Sequence, residues 1–161
     1  MKTKYKILIA KIIFNLISIV KRKQIIRIKK NDINWELNLS EGIDLCIYIF
    51  GKFEYEIIKT ISKHKLTKKP IFFDIGANIG AQTLQLSQSF KNSTIHSFEP
   101  TNFGFNKLKK NIFLNKKLSK KILANQLFLT NKKNSIPKKI YASWNLNNKK
   151  NDHKKHYGSY K

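Results

Sequence analysis

The stretch Ile71-Phe72-Phe73-Asp74-Ile75-Gly76-Ala77-Asn78-Ile79-Gly80 decides the fold. Its first half is a short continuous apolar run introduced by Pro70, the composition of a strand buried on both faces. Its second half is a turn bounded by glycines, which permit a tight reversal and close approach of a ligand to the backbone. Ala81 to Phe90 then reads as a helix with Leu84 on its buried side. Thr94 to Phe98 is a second short strand, ended by Glu99-Pro100. Asn102 to Leu114 places Phe105, Leu108 and Ile112 at helical spacing and turns Lys107, Lys109 and Lys110 outward. Ile122 to Thr130 is a third strand. Strand, turn, helix, strand, helix, strand predicts a βαβαβ unit, hence an α/β fold with a parallel sheet.

The turn sits where chemistry is done in such folds. A glycine loop at the carboxyl end of a strand that opens a helix faces the binding crevice with its N–H groups. Glu99 ends the next strand 25 residues after Asp74, a position from which a carboxylate accepts both hydroxyls of a ribose. The loop is not the dinucleotide fingerprint, because Asn78 stands at the middle glycine position of G-x-G-x-x-G. It is not a P-loop either, since no Gly-Lys-Ser/Thr follows. An acid at each of two adjacent strand ends is hard to explain by packing alone.

Upstream, residues 1–23 read as a basic amphipathic helix, with Lys11, Asn15, Ser18 and Arg22 along one polar stripe and a broad apolar face. Packing on the domain is the first reading of that face, lying on a membrane surface the second and a signal anchor the third. No run reaches 18 apolar residues, so no ordinary transmembrane helix is expected. Residues 24–69 read as a hairpin and helical lead-in. Ile33, Trp35, Leu37 and Leu39 alternate with polar residues and are joined to Gln24–Lys29 by a turn at Asn31-Asp32, while Ile43–Phe50 and Glu54–His64 are helical. Residues 70–146 form the sheet domain, with one more strand candidate at Ile140–Leu146, and 147–161 are a polar tail.

The 161 residues make about one domain. The formal charge is +24, with 33 Lys and Arg against 9 Asp and Glu. Such a charge points first to nucleic acid or an anionic membrane. Yet only Arg22 and Arg27 are arginine, the residue that nucleic-acid readers use for bidentate contacts. Lys, Ile and Asn are abundant together, the profile of an A/T-rich coding bias. Residues 31–51 have no Lys or Arg and 70–106 have only Lys91, so these segments are spared that bias. The single Cys46 excludes a disulfide scaffold and reads as a small core residue rather than a nucleophile.

Asp74 through Gly80, then Ser97-Phe98-Glu99-Pro100 and the segment Asn102–Asn115 with Leu108-Lys109-Lys110-Asn111, resemble the FkbM-type S-adenosylmethionine-dependent methyltransferases. Trp35–Asp44 and Tyr48–Glu54 are similar to the segment before the loop in that family, and Ala142-Ser143-Trp144-Asn145 matches more weakly. The resemblance implies a class I methyltransferase (Rossmann-like) fold and S-adenosylmethionine as cofactor. By the same resemblance Gly76, Ala77, Asn78 and Gly80 line the methionine portion, and Asp74 supports the loop. Glu99 holds the ribose, Pro100 borders the adenine and Asn125 approaches its edge. It implies methylation of a hydroxyl on a sugar or glycan acceptor, in a cytoplasmic or membrane-peripheral protein. No residue is identified as the catalytic base, and no metal site is expected.

The family's later K-I-D-x-D-G-x-E type segment has no counterpart here, so the sheet is expected to be incomplete at its carboxyl end, with the edge beside 71–75 uncovered. A truncated member, or one whose sheet a second chain completes, is the expectation, with little turnover by this chain alone. The alternative is a non-enzymatic basic protein binding nucleic acid or anionic membrane, although no specific nucleic acid is expected. Bland readings stand beside the remaining candidates. Glu41 and Asp44 cap a helix start, Trp35 and Trp144 are core, His96 is structural, His64 lies in a connector, and His153 and His156 belong to a solvated tail.

Overall fold

A computed structural model describes residues 3–20, 24–131, 140, 145 and 146. The described elements are α1 (Thr3–Val20), β1 (Ile25–Lys30), β2 (Ile33–Asn38), α2 (Gly42–Phe50), α3 (Glu56–Ser62), β3 (Ile71–Ile75), α4 (Ala81–Ser89), β4 (Thr94–Phe98), α5 (Asn102–Phe113), α6 (Lys116–Ser119) and β5 (Ile122–Asn125). β1 and β2 form an antiparallel hairpin, turned through Asn31 and Asp32, both at positive φ. β3, β4 and β5 form a parallel sheet in that order, with Phe72 opposite Ile95 and Asp74 opposite Ser97. The fold is therefore mixed α/β with a parallel three-stranded sheet, as the alternation of apolar runs and helical faces predicts.

The hairpin and the sheet layer share one core. Ile33, Trp35 and Leu37, the inward set of β2, pack with Ile47 of α2 and with Ile79, Ala81 and Leu84 of the loop and α4. Trp35 is wholly buried there, as core. These residues come from the lysine-poor windows. A second cluster seats Phe14 of α1 against Leu39, Leu45 and Leu146, and a third joins Ile58, Leu86 and Ile95.

The outer edge of β2 is sealed by side chains rather than by another strand. Asn115 accepts the Asn34 N–H at 2.9 Å and donates to the Asn34 carbonyl at 2.7 Å. Asn111 accepts the Glu36 N–H at 2.8 Å, and Asp44 accepts the Asn38 N–H at 2.6 Å. Three backbone donors that an edge strand would leave open are thus satisfied.

Three expectations are corrected. The run 71–75 is not buried on both faces: Ile71, Phe73 and Ile75 are 60%, 64% and 67% exposed, while Phe72 and Asp74 point toward the covered side. An uninterrupted apolar run is the same sequence whether one face or two is covered, and only the α4 side is covered by described elements. On the open face Phe73 stacks on His96 and Phe98, with ring centroids 5.3 and 6.1 Å apart. Among the described residues β3 pairs only with β4, leaving its other edge open. The third strand stops at Asn125 rather than Thr130, because the chain leaves the sheet to run past the strand ends. Finally, among its described side chains α1 is apolar on two opposite sides, with Phe14 packed and Ile12, Leu16 and Ile19 exposed on the side away from it. The strand candidate 140–146 and the tail histidines His153 and His156 lie outside the described residues, apart from Ile140, Asn145 and Leu146.

Candidate functional site

The carboxyl ends of β3 and β4 meet the glycine loop. Gly76 and Ala77 both donate their N–H to the Phe98 carbonyl, at 2.9 and 3.0 Å, so the loop is laced to the end of β4. Gly76, Asn78 and Gly80 all have positive φ. Gly80, with φ of 88°, is the N-cap of α4, and a Cβ there would lie 2.8 Å from Leu108 Cδ1. Glycine is thus required by conformation and by the packing of α5 against the turn. The Ile79 carbonyl accepts from Asn111 Nδ2 at 2.9 Å, which ties the loop to the same asparagine that seals β2.

Asp74 lies beneath the loop and accepts the Thr83 hydroxyl proton at 2.5 Å. Thr83 Oγ1 is also 2.8 Å from Ser97 Oγ. Since the threonine's one hydrogen goes to Asp74, Ser97 donates to Thr83, giving a directed chain from β4 through α4 to β3. Burial pushes the Asp74 carboxyl above its ordinary range. The Thr83 bonds oppose that rise and the nearby Glu99 adds to it.

Glu99 is turned inward and is only 4% exposed. Its Oε2 accepts the Asn78 N–H at 2.9 Å. Its Oε1 accepts both the backbone N–H and the hydroxyl of Thr101, at 3.0 and 2.5 Å. Thr101 in turn caps α5 by accepting the Gly104 N–H at 3.1 Å. A carboxylate offers about four lone-pair sites. Three are taken by the protein, so one further hydroxyl fits at Oε2 without displacing a bond. Gly104 makes the inward position possible, because a Cβ there would lie 2.7 Å from Glu99 Cδ.

Beside Glu99 opens a cleft of about 260 Å³, lined by Ile75, Gly76, Asn78, Phe98, Glu99, Pro100, Leu127, Phe128, Leu129 and Ile140. Of the predicted set it unites Gly76, Asn78, Glu99 and Pro100. Asp74, buried Ala77 and Gly80 lie behind it as loop supports. Asn125 is not in the lining. Its carboxamide donates back to the Leu123 carbonyl at 3.1 Å, while its own carbonyl accepts the Glu99 N–H. The segment Leu127–Leu129 takes the place beside the cleft that Asn125 was expected to fill. A larger cleft of about 720 Å³, between Lys29, Gln88, Phe113 and Lys117, shares no lining residue with this one and carries no set of convergent catalytic groups.

Sequence reasoning missed Thr83, Ser97, Thr101, Gly104, Asn111 and Asn115 as parts of this assembly. Gly104 carried a signal as an isolated glycine within a helical pattern, and Thr101 carried one as a capping residue just before the helix expected from Asn102. Glu41 stands at the N-cap position of α2 but makes no side-chain cap, and instead accepts from Asn145 Nδ2 at 2.9 Å. Asp44 is buried against Lys107 Nζ at 2.6 Å, and burial raises its carboxyl above the usual range despite that partner. Both acids bind elements together rather than capping a helix. Cys46 is half-buried and its thiol is pushed up by burial, then by Glu54, which suits an inert residue.

No protein-family model matches the chain, and no curated protein matches it. Among solved structures it is similar to PH0793 of Pyrococcus horikoshii, provisionally described as a transferase. The identity is 17% and the TM-score 0.45, over 65% of this chain and 36% of that one. It is similar also to P. horikoshii TYW2 in complex with MeSAdo, at 18% identity and TM-score 0.45 over the same shares. The chain spans 36% of the length of these structures.

Proposed function

We propose that this chain binds S-adenosylmethionine and takes part in transferring its methyl group to a hydroxyl of a sugar or glycan acceptor, as an FkbM-type methyltransferase. One observation carries the cofactor reading. In a protein of formal charge +24, the described residues that line the cleft at the strand ends include no Lys or Arg, and the charged group among them is the Glu99 carboxylate. A phosphate-bearing cofactor would meet no cation among those described residues. A nucleoside with a positively charged sulfonium and no phosphate meets an acid and apolar walls from Phe98 and Leu127–Leu129. The volume of about 260 Å³ falls slightly below the roughly 300 Å³ at which small-ligand clefts begin, room for the nucleoside part.

When bound, the cofactor supplies an electrophilic methyl group. Gly76, Asn78, Glu99 and Pro100 would hold the cofactor, which would give its sulfonium methyl to the acceptor oxygen, the hydroxyl proton passing to solvent and S-adenosylhomocysteine leaving. The residues named here orient the cofactor. Positioning of this kind contributes about 7–11 kcal/mol to such reactions. The sugar acceptor rests on the sequence resemblance. The rival reading, a basic protein that only binds nucleic acid, does not account for the lysine-poor windows that build the core and the cleft.

Calorimetry with S-adenosylhomocysteine and with ATP tests the cofactor. Binding of the first with much weaker binding of the second is expected. Equal or tighter binding of ATP, or no binding of either, would reject the reading. Formation of S-adenosylhomocysteine from S-adenosylmethionine in the presence of sugar acceptors then tests the acceptor class.

A further inference from the structure

α1 turns two apolar faces in opposite directions. At 100° per residue, Ala10, Phe14 and Ile17 share one side, and this side packs on Leu39, Leu45 and Leu146. Ile12, Leu16 and Ile19, at i, i+4 and i+7, share the other, and they are 51%, 61% and 80% exposed. A helix that rests on a domain by one face ordinarily makes its outer face polar. Here the polar stripe lies along a flank, with Lys11 half-buried and Asn15 exposed. Three aligned aliphatic side chains meet water, a patch that needs a partner.

The charge around the stripe identifies the partner. Residues 1–31 contain ten basic residues and no acid, the first acid being Asp32. Lys2, Lys4 and Lys6 precede the stripe, and Lys21, Arg22 and Lys23 follow it. A second copy of this helix would set the seven basic residues of 1–23 against seven more. The stretches 132–139 and 147–161 of the same chain are themselves basic, so neither offers a complement. Nucleic acid would satisfy the cations and leave the aliphatic stripe in water. A bilayer with anionic headgroups satisfies both, apolar side chains entering the acyl boundary and cations remaining among the headgroups. Among the described residues no helix is long and apolar enough to cross a membrane.

We propose that α1 is an interfacial helix that docks the protein on an anionic lipid surface through Ile12, Leu16 and Ile19. The helix lies in the plane of the interface with its Phe14 side held by the domain, so docking needs no unfolding of the body. This inference is independent of the cofactor assignment.

The test is co-sedimentation of the full chain with vesicles of phosphatidylcholine alone and of phosphatidylcholine mixed with phosphatidylglycerol. Wild type is expected on the mixed vesicles, with weakening at high ionic strength. The triple variant Ile12→Ser/Leu16→Ser/Ile19→Ser is expected to bind at least about tenfold more weakly, since each side chain withdraws apolar area from water on docking. Unchanged circular dichroism and an unchanged urea midpoint of the variant would show that the body is intact. The proposal is overturned by equal binding to both vesicle types, by no binding to either, or by a triple variant that binds as wild type does. It is equally overturned by a wild-type dimer that the triple variant disperses, or by tighter binding to duplex DNA than to mixed vesicles.

Discussion

Glu99 Oε2 accepts the backbone N–H of Asn78 at 2.9 Å, so the acid that ends β4 braces the loop that follows β3. With Oε1 held by Thr101, the same carboxylate joins the loop to the start of α5. A residue expected only to meet a ligand is thereby a structural member as well. Glu99→Ala should lower stability by about 1–3 kcal/mol, the cost of leaving buried donors unpaired, read from urea unfolding. Glu99→Gln should recover only part of this. With its oxygen toward Thr101, its NH2 group would face the Asn78 N–H, donor against donor. Full recovery by glutamine would contradict the geometry.

Gly104→Ala tests the space that Glu99 occupies. Alanine favours a helix by about 1 kcal/mol over glycine, so a gain would follow from propensity alone. The Cβ would instead lie 2.7 Å from Glu99 Cδ, and a net loss of about 1–3 kcal/mol is expected from overpacking. Shortening the acid in Gly104→Ala/Glu99→Asp should make the double change cost less than the two single changes added. Thermal melts of the four proteins complete the cycle.

Thr83→Val removes the hydroxyl between Ser97 and Asp74, and should cost about 1–3 kcal/mol at neutral pH. The cost should depend on pH. Burial already holds the Asp74 carboxyl above its ordinary value of 3.8 in the folded protein. A raised folded value means that this group's contribution to stability is complete below the unfolded value and is lost as pH rises through the folded one. Without Thr83 the folded value rises further, so the penalty on the ionised form grows. The stability gap between wild type and Thr83→Val should therefore narrow as pH falls from neutral toward 4, measured by denaturant titration at each pH. A gap that widens on acidification would reverse the assignment.

The open face of the sheet makes a comparison of two truncations informative. Leu84 is wholly buried in the core, and Leu84→Ala should cost about 2–5 kcal/mol. Phe73 is largely exposed and touches mainly His96 and Phe98, so Phe73→Ala should cost only the aromatic contacts, about 0.5–1.5 kcal/mol. Equal losses in parallel unfolding curves would mean that Phe73 is covered in solution.

The elements were legible where a pattern repeats. The alternation Ile33, Trp35, Leu37 marked β2, and the apolar run ending in Asp74 and the glycine turn marked β3 and the start of α4. The acids at the strand ends could be placed by the same reasoning. Their partners could not. A carboxamide such as Asn111 on a Lys-rich helix looks like a solvent-facing residue until β2 is known to lie against it. Whether Glu99 faces a ligand or the loop depends on the missing Cβ of Gly104, a contact made only after α5 docks. The two-sided character of α1 was hidden for a similar reason, because a broad apolar face does not say which part of it is covered.

The asparagine seal on β2 also orders events in time. β1 and β2 adjoin in the chain and can pair as soon as both exist, but the groups that close the outer edge at Glu36 and Asn34 lie 75 and 81 residues downstream. Contacts of such long sequence separation form late. During synthesis at roughly 5–20 residues per second, the hairpin would therefore wait on the order of 4–16 s with its edge donors open. Over that interval the nascent hairpin is adhesive, and it becomes inert only when Asn111 and Asn115 arrive.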